Sequence, residues 1–266
     1  MFATLTTQGE NLLLGIGCGA AGLCVGSFLN VVVWRVPRGE SVVSPRSHCP
    51  ACSAPITWYD EIPVVSWLVL GRRCRTCRSR ISARYPAIEA GCAALFVVVA
   101  LLAPRDGALP AVLALAATML ALSLIDIEHH RLPDAVLVPG TATAIALYAV
   151  AAAVTPRWDD FARALAGGAL AFAGLFLIHL VAPRGMGFGD VKLAFACGLM
   201  LGWRGLGFVP IGLLAGFALG AMTGVVLMAT GHLARRSHMA FGPFLSVGAV
   251  SITLWGDGIV NWYRGR

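Results

Sequence analysis

The segment from Leu12 to Val33 reads LLLGIGCGAAGLCVGSFLNVVV and sets the class of structure. It carries no charged side chain, and as a helix it is long enough to cross the roughly 30 Å hydrocarbon core of a bilayer. It is too long for the apolar core of a cleavable signal peptide, so we expect a retained membrane helix. Together with the apolar segments that follow, it predicts an all-α polytopic membrane protein with about eight transmembrane helices, the sixth of them short. The later segments lie at 86–103, 108–125, 135–154, 164–182, 191–203, 206–230 and 240–255.

The composition of the 266 residues excludes a water-soluble enzyme. Hydrophobic residues make up 58% of the chain and charged residues only 12%, against roughly 25% charged residues in soluble domains. The net charge of +7 comes almost entirely from arginine, and Lys192 is the only lysine. Short cytoplasmic loops of membrane proteins are enriched in these two residues. Topology therefore accounts for the basic residues, and no nucleic-acid partner is expected.

The arginines also predict the orientation of the chain. They are most frequent in the polar segment 35–85, which places this segment in the cytoplasm and both termini on the opposite side. We therefore predict a first transmembrane helix at 1–34, a cytoplasmic tetracysteine loop at 35–85 and a transmembrane core at 86–266. Alternating crossings bring further basic residues to the cytoplasmic side, namely Arg131, Arg184, Lys192, Arg235 and Arg236.

Four of the eight cysteines lie in the polar segment as two C-x-x-C pairs, with 21 residues between the pairs. This spacing is typical of a zinc ribbon, in which two tight turns supply four thiolates to one tetrahedral ion. Such a polar loop cannot build a core alone, so the metal would supply much of its folding free energy. Four thiolates leave no open position for water, so the zinc would be structural. Free cysteines or two disulfides are the alternative for Cys49, Cys52, Cys74 and Cys77.

Acidic residues within or beside membrane segments are costly and are candidates for function. Asp126 ends the third segment and Asp190 begins the sixth, and two crossings between them return the chain to the same side. Two adjacent carboxyl groups, one ionised and one protonated, activate water and protonate a leaving group in aspartic peptidases. The residues alone leave open that this acidic pair binds an ion in a transporter, or forms structural pairs with Arg131 and Lys192.

Other residues near these segments have plainer interpretations. Asp134 follows a Leu-Pro pair and is interpreted as a helix cap. Glu89 is expected to pair with an arginine near the interface, and His179 to be a packed, hydrogen-bonded histidine. Glycines at 185, 187 and 189 let the backbone before Asp190 approach another element closely.

Five motifs occur in a fixed order along the chain. They are GSFLNVVVWRVP at 26–37, the paired C-x-x-C, SLID…LPD at 123–134, GMGFGDVKL at 185–193 and FGPFL at 241–245. In sequence, order and spacing they resemble the bacterial type IV prepilin peptidases, a family of GxGD aspartic peptidases. The resemblance runs from about residue 12 to residue 255.

The resemblance implies an inner-membrane enzyme that cuts the basic leader from type IV prepilins and type II secretion pseudopilins on the cytoplasmic side. It implies that Asp126 and Asp190 are the catalytic aspartates, with Gly187, Gly189 and Lys192 in supporting positions. Family members with the cysteine loop also methylate the new N-terminal residue, so S-adenosylmethionine is expected as the methyl donor, in addition to structural zinc. The expected partners are prepilin-type substrates and membrane lipid.

Two positions depart from the family pattern. Arg72 stands two residues before the third cysteine, where family members often have glycine, and Gly71 lies one residue earlier. After Asp126 the chain reads Ile-Glu-His-His-Arg, where a second aspartate and fewer basic groups are usual. The first departure bears on methylation and the second on substrate preference.

Two functions from other classes compete with the peptidase. One is an ion-coupled transporter that uses Asp126 and Asp190, and the other is a zinc-ribbon membrane anchor without catalysis. The order of the five motifs favours the peptidase, because a transporter gives no reason for a tetracysteine loop beside a G-x-G-D motif.

Overall fold

The computed structural model describes residues 2–183, 185–231 and 239–263, with side chains described from residue 9 to residue 258 within those ranges. Arg184, Arg235 and Arg236, which also support the predicted orientation, lie outside the described residues. All regular elements in the described ranges are helical, which confirms the all-α prediction. The α-helices are α1 (Phe2–Arg35), α2 (Val65–Val69), α3 (Arg84–Leu102), α4 (Leu109–His129), α5 (Asp134–Val154), α6 (Trp158–Val181), α7 (Phe188–Arg204), α8 (Phe208–Ala229) and α9 (Gly242–Tyr263), and 3₁₀ turns lie at Val36–Arg38 and Trp58–Glu61.

Each apolar segment of the sequence forms one long helix, and the short helix α2 lies in the polar segment. Six of the long helices are both long enough and apolar enough to cross a membrane, namely α1, α3, α4, α5, α6 and α8. Within the described residues, the number of candidate spans is therefore somewhat lower than the eight crossings predicted. The two long helices outside this group are α7, which has only 17 residues, and α9.

The chain divides into two compact units, residues 1–101 and 102–266. In the first unit, α1 and α3 approach closely at two glycines of α1. A Cβ atom on Gly22 would lie 2.7 Å from the Cα of Ala93, and one on Gly26 would lie 2.7 Å from the Cα of Glu89. Only hydrogen fits in such a space, and small residues of this kind let helices pack in lipid. The functional division into first helix, loop and core stays a prediction.

The second unit is built around α7, in which 12 of 17 residues are buried. Its backbone lies directly against α6. A Cβ atom on Gly198 would lie 2.3 Å from the Gly167 carbonyl oxygen, and one on Gly202 would lie 2.5 Å from the Arg163 carbonyl oxygen. A helix of this length spans only about 25 Å, less than the hydrocarbon core. The short sixth segment is therefore a central packed helix.

Helix α9 completes the second unit. Against α8 it also packs through glycine, because a Cβ atom on Gly248 would lie 2.5 Å from the Gly216 nitrogen. It packs in addition against α4 and α7. Its first residue, Gly242, thereby reaches the ends of α4 and α7 that carry the acidic pair.

A polar cluster closes the other end of the second unit. The Trp203 indole N–H donates to Asp106 at 2.8 Å, and the Trp203 ring stacks on Tyr148 with centroids 4.8 Å apart. Arg157 forms an ion pair with Asp160 at the start of α6. These contacts fix the chain segments that enter α4 and α6 and the one that leaves α7.

Candidate active site and metal centre

The two C-x-x-C pairs form two turns of the same geometry. In each turn the first cysteine N–H donates to the carbonyl five residues further on, from Cys49 to Ala54 and from Cys74 to Ser79, both at 2.9 Å. The carbonyl of that cysteine accepts from the residue after the second cysteine, which has a left-handed backbone in both turns. These left-handed residues are Ser53, with φ 57°, and Arg78, with φ 58°.

The turns bring four sulfur atoms together. The Sγ atoms of Cys49, Cys52, Cys74 and Cys77 lie within 4.8 Å of one another, and those of Cys49 and Cys77 are 3.8 Å apart. Zinc–sulfur bonds of about 2.3 Å in a tetrahedron place the sulfur atoms about 3.8 Å apart. No disulfide joins the cysteines in the described part of the chain. The four thiols therefore fit a tetrahedral metal ion.

Hydrogen bonds prepare two of these thiols to bind a cation. Backbone N–H groups of Ala51 and Cys52 lower the pKa of the Cys49 thiol to about 6. The Ser79 hydroxyl lies 3.1 Å from the Cys77 sulfur and lowers the pKa of that thiol. The Ala54 backbone N–H lowers the pKa of the Cys52 thiol. Burial and the neighbouring thiols outweigh this effect and raise that pKa to about 11. All four are thiolates together only if a cation offsets their mutual repulsion.

Arg72, which stands where family members often have glycine, has a left-handed backbone. Arg72 has φ 65° and follows Gly71 at φ 59°. Glycine adopts such angles without steric cost, whereas arginine does so rarely. The Arg72 guanidinium lies over the Trp67 ring, 4.8 Å from its centroid. The arginine therefore keeps the turn and adds a cation–π contact to it.

Two acidic residues of the first unit have structural partners. Asp60 accepts two hydrogen bonds from the Arg75 guanidinium, at 2.7 and 2.8 Å, and this lowers the pKa of Asp60. The buried Glu89 carboxylate accepts the Val64 N–H at 2.7 Å. Among the ion pairs of the described residues none involves Glu89, so this backbone hydrogen bond stands where an arginine partner was expected.

The acidic pair lies at two helix ends of the second unit. Asp126 is in the last turn of α4, Asp190 is in the first turn of α7, and both side chains are buried. One carboxylate oxygen of Asp126 accepts the Gly242 N–H at 3.0 Å. A Cβ atom on Gly242 would lie 3.0 Å from that Asp126 oxygen and 3.5 Å from the Leu193 side chain, three residues after Asp190. The fold therefore brings together two carboxyl groups that are 64 residues apart in the sequence.

Glycines make room for Asp190. Gly187 is the N-cap residue of α7, and the Asp190 N–H donates to its carbonyl at 3.1 Å. A Cβ atom on Gly187 would lie 3.3 Å from an Asp190 carboxylate oxygen, and one on Gly189 would lie 3.0 Å from the Cβ of Leu132. The Gly187 backbone thus lies beside the Asp190 carboxylate, and Leu132 lies directly beside the chain that carries it.

Lys192 pairs with a residue outside the acidic pair. Its ammonium group contacts both carboxylate oxygens of Asp134 at 2.7 Å. Asp134 is the first residue of α5 and follows the N-cap residue Pro133, so the helix-cap interpretation is wrong. The alternative of a structural pair between Lys192 and Asp190 does not hold either. The ion pair joins the first residue of α5 to the fifth residue of α7.

The loop before α7 is also held from α6. The His179 Nδ1–H donates to the Met186 carbonyl at 2.9 Å, and the Phe188 ring lies 5.8 Å from the His179 ring. His179 is therefore hydrogen-bonded and packed, as its place in an apolar segment indicates. Its partner lies in the G-M-G-F-G-D motif.

Comparison with known proteins gives matches over most of the chain. The bacterial peptidase A24 N-terminal domain matches residues 20–103, and the type IV leader peptidase family matches residues 113–228. A prepilin leader peptidase/N-methyltransferase of Aeromonas salmonicida is 36% identical over 91% of this chain and 90% of its own length. The Pseudomonas aeruginosa protein of the same name is 33% identical over 91% and 90%. The type 4 prepilin-like proteins leader peptide-processing enzyme of Escherichia coli is 35% identical over 86% and 90%. No solved structure matches the chain significantly.

The chain belongs to the type IV leader peptidase family. This membership confirms the resemblance drawn from the five motifs. It also confirms the enzyme class that the resemblance implies, because the relatives are named prepilin leader peptidase/N-methyltransferase. It decides against the transporter and the non-catalytic anchor. The six candidate spans fit a multi-pass membrane enzyme. The leader-peptidase match lies wholly in the second unit, which holds the acidic pair.

Two contributors to the sites of this leader peptidase were not predicted from the sequence. Gly242 donates to Asp126 from 116 residues away, and only the packing of α9 on α4 brings them together. This glycine lies in the FGPFL motif. The motif contributes to the family resemblance, but the sequence predicts no function for its individual residues. The second contributor is Ser79, whose hydroxyl contacts the Cys77 sulfur. Its position two residues after Cys77 is the sequence feature that could have predicted this contact.

Proposed function

We propose that this leader peptidase removes the basic leader from type IV prepilins and type II secretion pseudopilins by aspartic peptidase chemistry, at the cytoplasmic face of the inner membrane. Asp126 and Asp190 are the proposed catalytic residues. The observation that carries the proposal is the buried acidic pair inside the unit that matches the leader peptidase family. The names of the relatives support the substrate class.

The proposed reaction uses the two carboxyl groups in different protonation states. The ionised group takes a proton from water, whose oxygen attacks the carbonyl carbon of the scissile peptide bond. The protonated group donates a hydrogen bond to the carbonyl oxygen, and the carboxyl group that took the proton from water gives it to the leaving nitrogen as the C–N bond breaks. Two carboxylates that share one buried site do not both ionise cheaply, which favours the mixed state. The Gly242 N–H engages one Asp126 oxygen and so fixes the orientation of that carboxyl group.

The placement of the acidic pair suits a substrate that is half in the membrane. A prepilin has a basic leader followed by an apolar helix, as the family resemblance implies. Its helix would lie in the bilayer and its leader in water, which places the scissile bond near the interface. Asp126 and Asp190 each lie within one turn of a helix end, the depth that such a bond requires.

We also propose a structural zinc ion on Cys49, Cys52, Cys74 and Cys77, and S-adenosylmethionine as the methyl donor. The sulfur separations support the metal, which would supply folding free energy to the cysteine turns. The N-methyltransferase name of the relatives supports a methyl donor. When bound, S-adenosylmethionine supplies an electrophilic methyl group for the new amino terminus.

One experiment tests these activities together. The purified, detergent-solubilised chain is incubated with a synthetic prepilin, with and without S-adenosylmethionine, and the products are examined by mass spectrometry. We expect leader loss in both samples and an added methyl group only with the donor. An intact substrate in both samples would contradict the peptidase proposal, whereas cleavage without methylation would contradict only the transferase proposal. Metal analysis of the same preparation is expected to give one zinc ion per chain.

A further inference from the structure

Large apolar side chains are exposed on the cysteine segment of the first unit. Trp58, Leu68 and Val69 are 78%, 62% and 76% exposed, and Ile62 and Val65 are exposed as well. They lie along the 3₁₀ turn Trp58–Glu61 and the short helix α2. A concentration of exposed apolar side chains of this kind marks a surface that contacts protein or lipid.

Hydrogen bonds fix the level of α2 along α3. The Val64 N–H, immediately before α2, donates to the Glu89 carboxylate at 2.7 Å. The Trp67 indole N–H donates to the Ile81 carbonyl at 3.2 Å, three residues before α3 begins. Glu89 is five residues into α3, or about 7.5 Å along its axis. Because α3 is a candidate membrane span, α2 is held near the depth of the lipid headgroups.

The backbone immediately before α2 has a strained conformation that the contact with α3 holds in place. Val64 has φ 60° and ψ −48°, and the Val65 N–H donates to the Pro63 carbonyl across it. This is a three-residue turn of the rare, strained type, and a β-branched residue adopts it only where neighbouring structure compels it. The buried Glu89 carboxylate, which accepts the Val64 N–H, supplies that constraint.

Positive charge follows the apolar side chains directly. Arg72 and Arg73 come after α2 and are exposed, and the Arg72 guanidinium lies over the Trp67 ring. Aromatic rings with arginine beside exposed aliphatic side chains are typical of segments that lie in the membrane interface. Anionic headgroups attract such arginines when these lie near the membrane surface.

We propose that residues 58–73, the interface segment, form a lipid-binding anchor. Trp58, Leu68 and Val69 enter the headgroup region of the leaflet at which α3 begins, and Arg72 and Arg73 bind phosphates of anionic phospholipids. The anchor ties the cysteine turns to the membrane surface independently of any substrate. It does not rest on the proposed peptidase chemistry.

Photo-crosslinking in the full chain tests the anchor. p-Benzoylphenylalanine replaces Val69 in one variant and Val43, which is 84% exposed but outside the interface segment, in the control. Both proteins are placed in phosphatidylcholine nanodiscs with or without phosphatidylglycerol and irradiated, and their adducts are identified by mass spectrometry. We expect several-fold more phospholipid adduct at position 69 than at 43, with a further increase when phosphatidylglycerol is present. Equal adduct at both positions, or crosslinks from 69 mainly to protein, would overturn the proposal.

A second pair of variants tests the arginines. Arg72→Gln is compared with Arg46→Gln, which removes the same charge from an exposed position outside the interface segment. Each is combined with the crosslinker at position 69. We expect Arg72→Gln to reduce the phosphatidylglycerol-dependent part of the lipid adduct and Arg46→Gln to leave it unchanged. Equal reduction by both variants would show general charge attraction and would overturn the role given to Arg72.

Discussion

The two candidate sites of this leader peptidase are held in place by different means. Across residues 36–83, all of which are described, Cys49 is the only buried residue. The cysteine turns therefore have no apolar core, and hydrogen bonds and a bound metal must hold them. The acidic pair belongs to a unit in which α7 is largely buried and glycines bring helix backbones into contact. The first site thus depends on its ligand, whereas packing forms the second in advance.

Replacing either aspartate should have the largest effect on activity and little effect on the fold. We expect Asp126→Asn and Asp190→Asn each to slow leader removal at least about a hundredfold, the range for loss of a positioned acid or base. Asparagine keeps the shape of the side chain, so packing should preserve the site. Initial rates per folded protein measure the effect, with thermal unfolding as the control for the fold. Near-normal turnover in either variant would remove that residue from the chemistry.

Removing the cysteine ligands should unfold the first site and leave the second intact. We expect Cys49→Ser together with Cys74→Ser to abolish zinc binding and to open the cysteine turns to proteolysis, because structural zinc supplies on the order of 10 kcal/mol to small zinc modules. Residues 102–266 should resist protease as before. Metal analysis and limited proteolysis with mass spectrometry measure both outcomes.

The matched control for this variant replaces two cysteines outside the cluster. Cys18 and Cys24 lie in α1, and changing both to serine should leave zinc content unchanged. Zinc that survives the Cys49 and Cys74 replacements would refute the metal site. Increased proteolysis within 102–266 would break the contrast between the two sites.

A single methyl group should test whether packing holds the second site. A Cβ atom on Gly167 would lie 2.6 Å from the Gly198 carbonyl oxygen, whereas one on Gly174 of the same helix has no atom within 4 Å. We expect Gly167→Ala to lower the free energy of unfolding by about 1–3 kcal/mol, as overpacking does. Gly174→Ala should be neutral or slightly stabilising, since alanine favours helix. Thermal unfolding in detergent compares the two, and equal effects would contradict the packing argument.

The sequence predicts what is encoded locally and misses what depends on packing. The cysteine turns follow from spacing alone, because both ligands of each turn lie within four residues. The shared side of Asp126 and Asp190 follows from the order of the crossings. The Gly242 donor is not predictable from the local sequence, because α9 must fold back onto α4 to supply it. The local sequence favours a cap at Asp134, because its ion-pair partner, Lys192, is 58 residues away.

The ion pair between Lys192 and Asp134 gives the smallest predicted effect and the sharpest test of the comparison. It joins the start of α5 to the chain two residues after Asp190, and the Asp134 carboxylate is mostly exposed. Exposed ion pairs contribute about 0.2–1 kcal/mol. If packing against α6 and α9 already places Asp190, then Lys192→Met should slow leader removal by no more than about fivefold.

A charge exchange separates the ion pair from other roles of the lysine. Lys192→Met and Asp134→Asn should each show the small loss, and the combined Lys192→Asp and Asp134→Lys variant should recover part of it, because the pair re-forms with reversed polarity. Leader-removal rates at low and high salt measure this, since salt screens an exposed pair. A loss for Lys192→Met as large as that for Asp190→Asn, and unrecovered by the exchange, would mean that the lysine acts on the acidic pair directly. Packing alone would then not explain how this site is formed.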